Sequence, residues 1–405
     1  MAADTAPLEQ IKKTSGHAAC PSCGAAETDL FYALDNVPTN SCILFSTKEE
    51  ALACKTGEMR LCHCPDCGFI FNAAFTQELT EYSGRYEETQ GFSPTFSKFH
   101  TNLAKRLIER HDIHGRNVME IGCGKGEFLV LLSQLGENTG IGVDPSAIPE
   151  RLEGVEGAER VTLIPEYFDP SHCAREPDFL CCKMTLEHIT NTAQFIRQIR
   201  DGLTEGGGTT VFFQIPESLR ILRHCAFEDI YYEHCSYFTP GSLGRLFRSC
   251  GFRVTDISTE YDDQYLTIEA VPGFGGEMLE IEDDLDEIAS LVETFPKRVE
   301  AAKHDWQGVV DAAKGRGETV LLWGSGSKAV SFLTSLGLGD KVDHVTDINP
   351  NRHNHYMPGT GQRIVPPAEL AEIKPDLVIV MNRIYEDEIT ADLKALGLSP
   401  TIKCL

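Results

Sequence analysis

Apolar positions along this chain follow two rhythms. Short apolar runs recur at 118–122, 140–144, 160–165, 179–182, 209–214 and 266–271. Between them the apolar residues fall at helical spacing; from about Ser97, Phe99, Leu103, Leu107 and Ile108 share one face. Buried strands alternating with amphipathic helices predict a parallel, doubly wound, Rossmann-like sheet. Glu205-Gly206-Gly207-Gly208 marks a turn into an inner strand. The pattern returns near the end, with a strand at 319–323, a second closing at Asp347-Ile348-Asn349-Pro350, and a third at 376–382. Between the two sheets, residues 277–314 are charged and helical, with Leu279, Ile281, Leu285, Ile288, Leu291 and Val292 on one face, and are predicted as connecting helices. Ahead of the first sheet, 31–45 and 59–61 predict short strands, and residues 1–18 a loose polar lead-in. The fold class is therefore α/β: a central Rossmann-like sheet, a small N-terminal domain, and a second Rossmann-like unit at the C-terminal end. The predicted boundaries are 1–96, 97–272 and 273–405.

Length and charge narrow the field. A chain of 405 residues exceeds one ordinary core. A net charge of −25 argues against a nucleic-acid surface and against anionic membrane, both of which want basic patches, but leaves room for a small anionic substrate held by local cations. No apolar run reaches the roughly 18 residues of a spanning helix. The opening Met-Ala-Ala-Asp-Thr-Ala-Pro has no basic stretch followed by an apolar core, so no signal peptide is expected. Fifteen cysteines without such a signal point to a reducing, cytoplasmic setting, where they serve as metal ligands or small buried residues.

Four of those cysteines form a pattern. Cys20-Pro21-Ser22-Cys23-Gly24 and Cys64-Pro65-Asp66-Cys67-Gly68 are two knuckles, each offering two thiolates from one tight loop. Two such loops complete a tetrahedral, structural Zn2+ site at Cys20, Cys23, Cys64 and Cys67. Cys62 and His63 compete on proximity, but Cys64 and Cys67 repeat the spacing of the first pair. Cys42 and Cys54 are read as non-ligands.

The densest ligand signal is Glu120-Ile121-Gly122-Cys123-Gly124-Lys125-Gly126, followed by Asp144 at the end of the next run. Alternate glycines let a backbone approach a ligand, and the helix that follows adds partial positive charge. An acid eighteen positions after Gly126 suits a ribose diol. The spacing is G-x-G-x-G, not the G-x-G-x-x-G of dinucleotide sites. With Glu120 in front it resembles the first motif of class I S-adenosylmethionine (SAM) methyltransferases. That resemblance places Glu120 near the methionine part and Asp144 on the ribose, with Gly122, Gly124 and Gly126 forming the turn.

Catalytic groups in such sheets lie beyond the carboxyl ends of the strands. Two segments qualify. One is Cys182-Lys183-Met184-Thr185-Leu186-Glu187-His188-Ile189; the other follows Gln214 and runs from Phe227 to Thr239, with Tyr231, Tyr232, Glu233 and His234 at its centre. His234 and His188 are the candidate functional imidazoles. A polar, aromatic stretch at 82–94 carries Tyr86 and reads either as a linker or as a lid. In the second Rossmann-like unit, Gly324-Ser325-Gly326-Ser327-Lys328 either holds a phosphate through backbone N–H groups and Lys328 or simply packs helix on strand.

Taken in order, the knuckles, the SAM motif with Thr-Leu-Glu-His-Ile and Tyr231-Tyr232-Glu233-His234, and the second Rossmann-like unit resemble the sugar C-methyltransferases of deoxysugar pathways over nearly the whole chain. The resemblance implies methyl transfer from SAM to C3 of a nucleotide-linked 4-keto-6-deoxysugar. It puts His234 on the general base, Tyr231, Glu233 and His188 on its active-site partners, and Tyr86 on the lid tyrosine. The chemistry is coherent: a carbon beside a ketone must lose a proton before it can attack, and an imidazole suits that task. In this reading Glu233 orients the base, and Tyr231 or His188 donates to the enolate oxygen. One departure stands out. Tyr261-Asp262-Asp263-Gln264-Tyr265 occupies the place of a Gly-Gly element near the family's substrate, which loosens the assignment of the sugar. A non-sugar acceptor, or a non-catalytic protein that senses SAM and a nucleotide, are the alternatives. The expected partner is a small molecule, with no nucleic acid and no membrane, bound by a monomer or small homo-oligomer.

Overall fold

The computed structural model describes residues 18–81, 83 and 85–405. The lead-in read over residues 1–18, except Ala18, and positions 82 and 84 of the linker-or-lid stretch lie outside the described residues.

The N-terminal unit is an antiparallel sheet. Strand β1 (Asp29–Pro38) pairs with β2 (Thr56–His63), and β2 with β3 (Ile70–Asn72). Its fourth strand comes from far down the chain, where Ser236–Tyr237 pairs with Ile70 and Phe71. The segment carrying His234 is therefore hydrogen-bonded into the N-terminal sheet.

The middle unit opens with α1 (Pro94–His111), capped by Ser93 and burying Leu103, Leu107 and Ile108. Then follow β4 (Asn117–Ile121), α2 (Glu127–Gly136), β5 (Thr139–Val143), β6 (Val161–Ile164), β7 (Phe179–Lys183), α3 (Thr192–Gly202), β8 (Thr210–Pro216), α4 (Ser218–His224), the short β9 (Ser236–Tyr237), α5 (Pro240–Ser249), β10 (Phe252–Glu260) and β11 (Tyr265–Pro272). The sheet order is β10-β11-β8-β7-β4-β5-β6, with β11 antiparallel to both neighbours and the other pairs parallel. Strand order reverses between β4 and β7, and that switch point is where such sheets open a ligand crevice. The reading of apolar runs missed β10. It lies at the sheet edge, and its Arg253, Thr255 and Ser258 break the run that marks a strand buried on both faces.

The region predicted as connecting helices is one helix, α6 (Leu285–Gly315), of 31 residues with Pro296 inside it. Ile288, Val292, Phe295 and Val299 bury one face, and Phe295 meets Phe31 and Tyr32 of β1 edge-on at 5.8 and 5.4 Å. Tertiary packing on both sides of the proline holds the helix continuous. The last unit contains β12 (Val320–Trp323), α7 (Ser327–Ser335), β13 (His344–Thr346), β14 (Ile364–Val365), β15 (Leu377–Val380), α8 (Glu386–Ala395) and β16 (Thr401–Cys404), all strands parallel in the order β14-β13-β12-β15-β16. One apolar cluster runs from Tyr32 through Phe227 and Phe295 to Phe332, so the N-terminal sheet, the 227–237 segment and the last sheet share a core. Among the described residues, no helix is long and apolar enough to cross a membrane.

Candidate active site

The two knuckles come together as the spacing predicts. Gly24 and Gly68 take positive φ and donate back to the carbonyls of Cys20 and Cys64, each at 2.8 Å. Cys20 Sγ lies 3.7 Å from Cys67 Sγ, and Cys23 Sγ lies 3.6 Å from Cys64 Sγ. A tetrahedron of sulfurs at about 2.3 Å from Zn2+ has S···S edges near 3.8 Å, so the four thiols fit a zinc site. Cys62, His63, Cys42 and Cys54 stand outside the cluster. Arg245 of α5 donates to the Cys67 carbonyl at 3.0 Å, which ties the knuckle to the middle unit.

The glycine turn at the end of β4 is built for close approach. Gly122, Gly124 and Gly126 all have positive φ, and a Cβ on Gly122 would lie 1.9 Å from Thr185 Oγ1. Gly124 N donates to Asp144 Oδ2 at 2.9 Å, while Ser146 N and Oγ donate to Oδ1 at 2.6 and 2.7 Å. Glu120 is buried and its Oε2 has no hydrogen-bond partner. Burial pushes its carboxyl up to about 7 against the pull of Lys183. Gln214 Nε2, at the end of β8, is likewise buried and unpartnered. Unpaired buried polar groups at two strand ends of one sheet are costly unless a ligand satisfies them. The residues present thus fit SAM: an acid for its ammonium group, backbone for its adenosyl part, and an acid on the next strand.

Lys183, at the end of β7, donates to His100 Nε2 at 2.7 Å and sits 4.2 Å over the Phe128 ring. Burial drives His100 down to about 2, so it is a neutral acceptor under that ammonium. Segment 86–90 lies across the turn. Glu88 Oε1 is 3.1 Å from where a Gly124 Cβ would stand, and Thr89 Oγ1 donates to Glu127 at 2.7 Å. The stretch read as linker or lid therefore covers the glycine turn. Tyr86 within it bridges to Ile43 and packs against the small cluster of Ile43, Phe45 and Ala51.

The Thr185–His188 turn links the glycine turn to the second segment. Thr185 packs on Gly122, while the Glu187 carbonyl accepts from Cys235 N at 2.9 Å. His188 and His234 meet edge-to-face at 5.0 Å. Tyr231 OH and His234 Nε2 share a hydrogen bond of 2.8 Å. His188 Nδ1 donates to the Glu233 carbonyl at 2.9 Å, so that nitrogen carries the proton. Burial lowers both imidazoles, His188 to about 4 and His234 well below its ordinary value. Both are neutral at physiological pH. The Glu233 carboxylate accepts from Ser41 N at 2.9 Å and Ser41 Oγ at 2.5 Å, and Ser41 Oγ is 2.7 Å from Ser327 Oγ. Glu233 thus presents its backbone, not its carboxylate, to the His188 ring.

The structure brings His188, Tyr231, Glu233 and His234 together, and Glu120, Gly122, Gly124, Gly126 and Asp144 around the adjoining turn. Sequence reasoning missed Glu187, Gln214, Lys183, His100 and Ser41. The first three carried a usable signal, since each is a polar residue at the carboxyl end of a buried strand or one turn beyond it. His100 and Ser41 carried none.

A Rossmann-like sheet with its switch point, an acid-led glycine turn and a paired acid on the next strand defines a SAM-dependent methyltransferase. Residues 95–257 match the family model of a methyltransferase domain, and residues 276–398 match a C-methyltransferase C-terminal domain. The C-methyltransferase NovU of Streptomyces niveus is 27% identical over 327 residues, covering 76% of each chain. The two domain matches and this relative agree on a methyltransferase that carries a C-methyltransferase C-terminal domain. Among solved structures, magnesium protoporphyrin IX methyltransferase from Synechocystis PCC 6803 with bound SAH aligns over 44% of this chain and 84% of its own, at 16% identity and TM-score 0.35. A SAM-dependent methyltransferase from Clostridium acetobutylicum ATCC 824 aligns over 44% and 92%, at 14% identity and TM-score 0.34.

Proposed function

We propose that this protein methylates a carbon beside the ketone of a nucleotide-linked deoxysugar, with His234 as the general base. The observation that carries the reading is a buried, neutral imidazole bonded to Tyr231 and joined, through the Thr185–His188 turn, to the glycine turn. SAM, when bound, supplies a methyl group on a positively charged sulfur. The chain's own residues prepare the acceptor. His234 takes the proton from the carbon next to the carbonyl, and Tyr231 fixes the ring that receives it. Burial keeps the imidazole unprotonated and ready, and segment 86–90 keeps water from the turn. Glu120 and Asp144 would hold the two ends of SAM. Zn2+ at Cys20, Cys23, Cys64 and Cys67 would be structural, since four sulfurs leave no open position. Residues 1–96, 97–272 and 273–405 are the working division into zinc, SAM and C-terminal domains, in a cytoplasmic enzyme. The sugar acceptor rests on the family resemblance and on the C-methyltransferase relative.

The test is methyl transfer to a panel of nucleoside diphosphate-4-keto-6-deoxyglucoses, read by NMR of the product. His234→Ala is expected to lose about 10²–10⁴-fold in turnover while S-adenosylhomocysteine affinity by calorimetry stays unchanged. Unaltered turnover in that variant rules out the base. Methylation of non-sugar ketones but of no nucleotide ketosugar moves the assignment to a different acceptor.

A further inference from the structure

We propose that Glu187 is a further catalytic residue, a carboxylic acid that hydrogen-bonds the substrate oxygen on which negative charge develops. The proposal rests on the proton abstraction assigned above to His234. The Glu187 side chain is 1% exposed, and neither of its oxygens has a hydrogen-bond partner. One carboxyl oxygen and one ring nitrogen each from His188 and His234 lie within 4.8 Å of one another. The Glu187 backbone is fixed, with its carbonyl bonded to Cys235 N. Of the donors expected from the sequence, His188 is already committed. It spends its Nδ1 proton on the Glu233 carbonyl, which leaves the neutral ring no proton on Nε2. Tyr231 holds His234 at Nε2, where a neutral His234 that keeps its Nδ1 lone pair for the base role donates to the Tyr231 oxygen.

An enolate oxygen in a dry site needs a donor in place before the charge appears. Burial acts oppositely on the two kinds of group here. It raises the Glu187 carboxyl to about 8 and lowers His188 to about 4, so at neutral pH the proton resides on Glu187. Paired groups pushed apart in this way divide into acid and base. The titratable groups facing Glu187 are His188 on its own turn, Tyr231, His234 and Cys235 on the facing segment, Cys182 on β7 and Tyr265 on β11. None of these is cationic at neutral pH, so none draws the proton off. In the step itself the C–H bond beside the carbonyl breaks and its proton goes to His234. The electron pair forms the enolate C=C, and the carbonyl oxygen takes the charge and accepts from Glu187, whose proton stays on the carboxyl. When the carbon forms its new bond the ketone returns, and His234 releases its proton to solvent.

The experiment follows exchange with D2O of the proton beside the ketone in the nucleoside diphosphate-4-keto-6-deoxyglucose that the wild type methylates, with S-adenosylhomocysteine present, as a function of pH. The wild-type rate is expected to fall as pH rises through about 8, as Glu187 loses its proton. Glu187→Gln keeps a donor that does not titrate; it should stay within about tenfold at pH 7 and lose the alkaline fall. Glu187→Leu should lose about 10²–10³-fold with S-adenosylhomocysteine affinity unchanged. An alkaline fall that survives in Glu187→Gln overturns the proposal even if the leucine variant does not fold. A folded leucine variant at wild-type rate also overturns it. If the wild type exchanges no such proton while methylating the sugar, the base assignment fails and takes this inference with it; exchange that is indifferent to Glu187 sinks this inference alone.

Discussion

The chain contains two glycine-rich turns of nearly the same construction and opposite fates. In the central one, Gly122 N donates to the Val143 carbonyl at 2.8 Å and Gly124 N to Asp144 at 2.9 Å. In the C-terminal one, Gly324 N donates to the Thr346 carbonyl at 2.9 Å and Ser325 N to Asp347 at 2.8 Å. Each turn is locked by the acid at the end of the next strand. Around the central turn Glu120, Gln214 and Glu187 keep buried polar atoms without partners. Around the C-terminal turn the polar side chains are satisfied by the N-terminal and middle units. Lys328 Nζ reaches Asp229 at 2.9 Å, Ser327 meets Ser41, and Ser331 Oγ donates to the carbonyls of Phe227 and Ile230 at 2.9 and 2.8 Å. The pattern strand–glycines–helix therefore does not by itself mark a ligand site. What separates the two is whether the polar side chains around the turn have already found partners. The first turn waits for a ligand; the second clamps the His234 segment.

The sharpest break of this contrast is a methyl group on each turn. Gly122→Ala sets a Cβ 1.9 Å from Thr185 Oγ1 at a φ of +69°. It is expected to cost about 3 kcal/mol of stability and to abolish S-adenosylhomocysteine binding by calorimetry. Gly326→Ala meets no atom within 4 Å and lies at φ −80°. It should change stability by less than about 0.5 kcal/mol and leave binding and turnover alone. A large loss of turnover in a well-folded Gly326→Ala would mean that something does approach the second turn closely, and the contrast would fail.

A smaller effect probes the waiting acid. Glu120 in the folded chain is raised from an ordinary 4.5 to about 7 by burial. Without ligand the folded state holds that proton more tightly than the unfolded chain, so this group lowers stability as pH climbs from about 4.5 to 7. An ammonium-bearing ligand favours the carboxylate and reverses the sign. S-adenosylhomocysteine binding should release a proton below pH 7, tighten as pH rises through 7, and level off above it. Glu120→Gln should weaken binding about 10–100-fold and flatten the profile. A pH dependence that persists in that variant assigns it to another group.

How much of this was legible beforehand follows from where the information resides. The five parallel strands of the middle sheet, the glycine turn and the knuckles are local patterns, and periodicity and spacing expose them. That His188 and His234 would meet was legible in part, because both follow strand ends of one wound sheet. Edge strand β10 was not, because its outward face is polar. The two-residue β9 was not, because its pairing with Ile70 and Phe71 depends on a sheet built over 160 residues earlier. Nor was the chain of bonds from Glu233 through Ser41 to Ser327, whose members lie 192 and 286 positions apart. Glu187 stood inside a motif already singled out, yet its lack of a partner is a property of the packed interior and not of the motif.

The smallest expected effect is also the one that tests the clamp directly. Burial alone would raise Asp229, but Lys328 and Arg220 hold it down at about 2, so Asp229 is a carboxylate in the resting enzyme. Asp229 lies two residues before Tyr231, and Lys328 also reaches Gln264 at 3.5 Å. Lys328→Met leaves Asp229 with Arg220 and removes one of the bonds that set the height of the Tyr231–His234 segment. A half-buried pair of this kind contributes about 1 kcal/mol, so kcat should fall about fivefold. KM for the acceptor and S-adenosylhomocysteine affinity should hold steady, because a positioning residue acts on the geometry of the reacting groups. If Lys328 instead gripped a phosphate, the loss would fall on KM, with kcat preserved. That split decides between a clamp and a second ligand site, and Lys328→Arg, which restores the charge, should recover most of the lost kcat only in the first case.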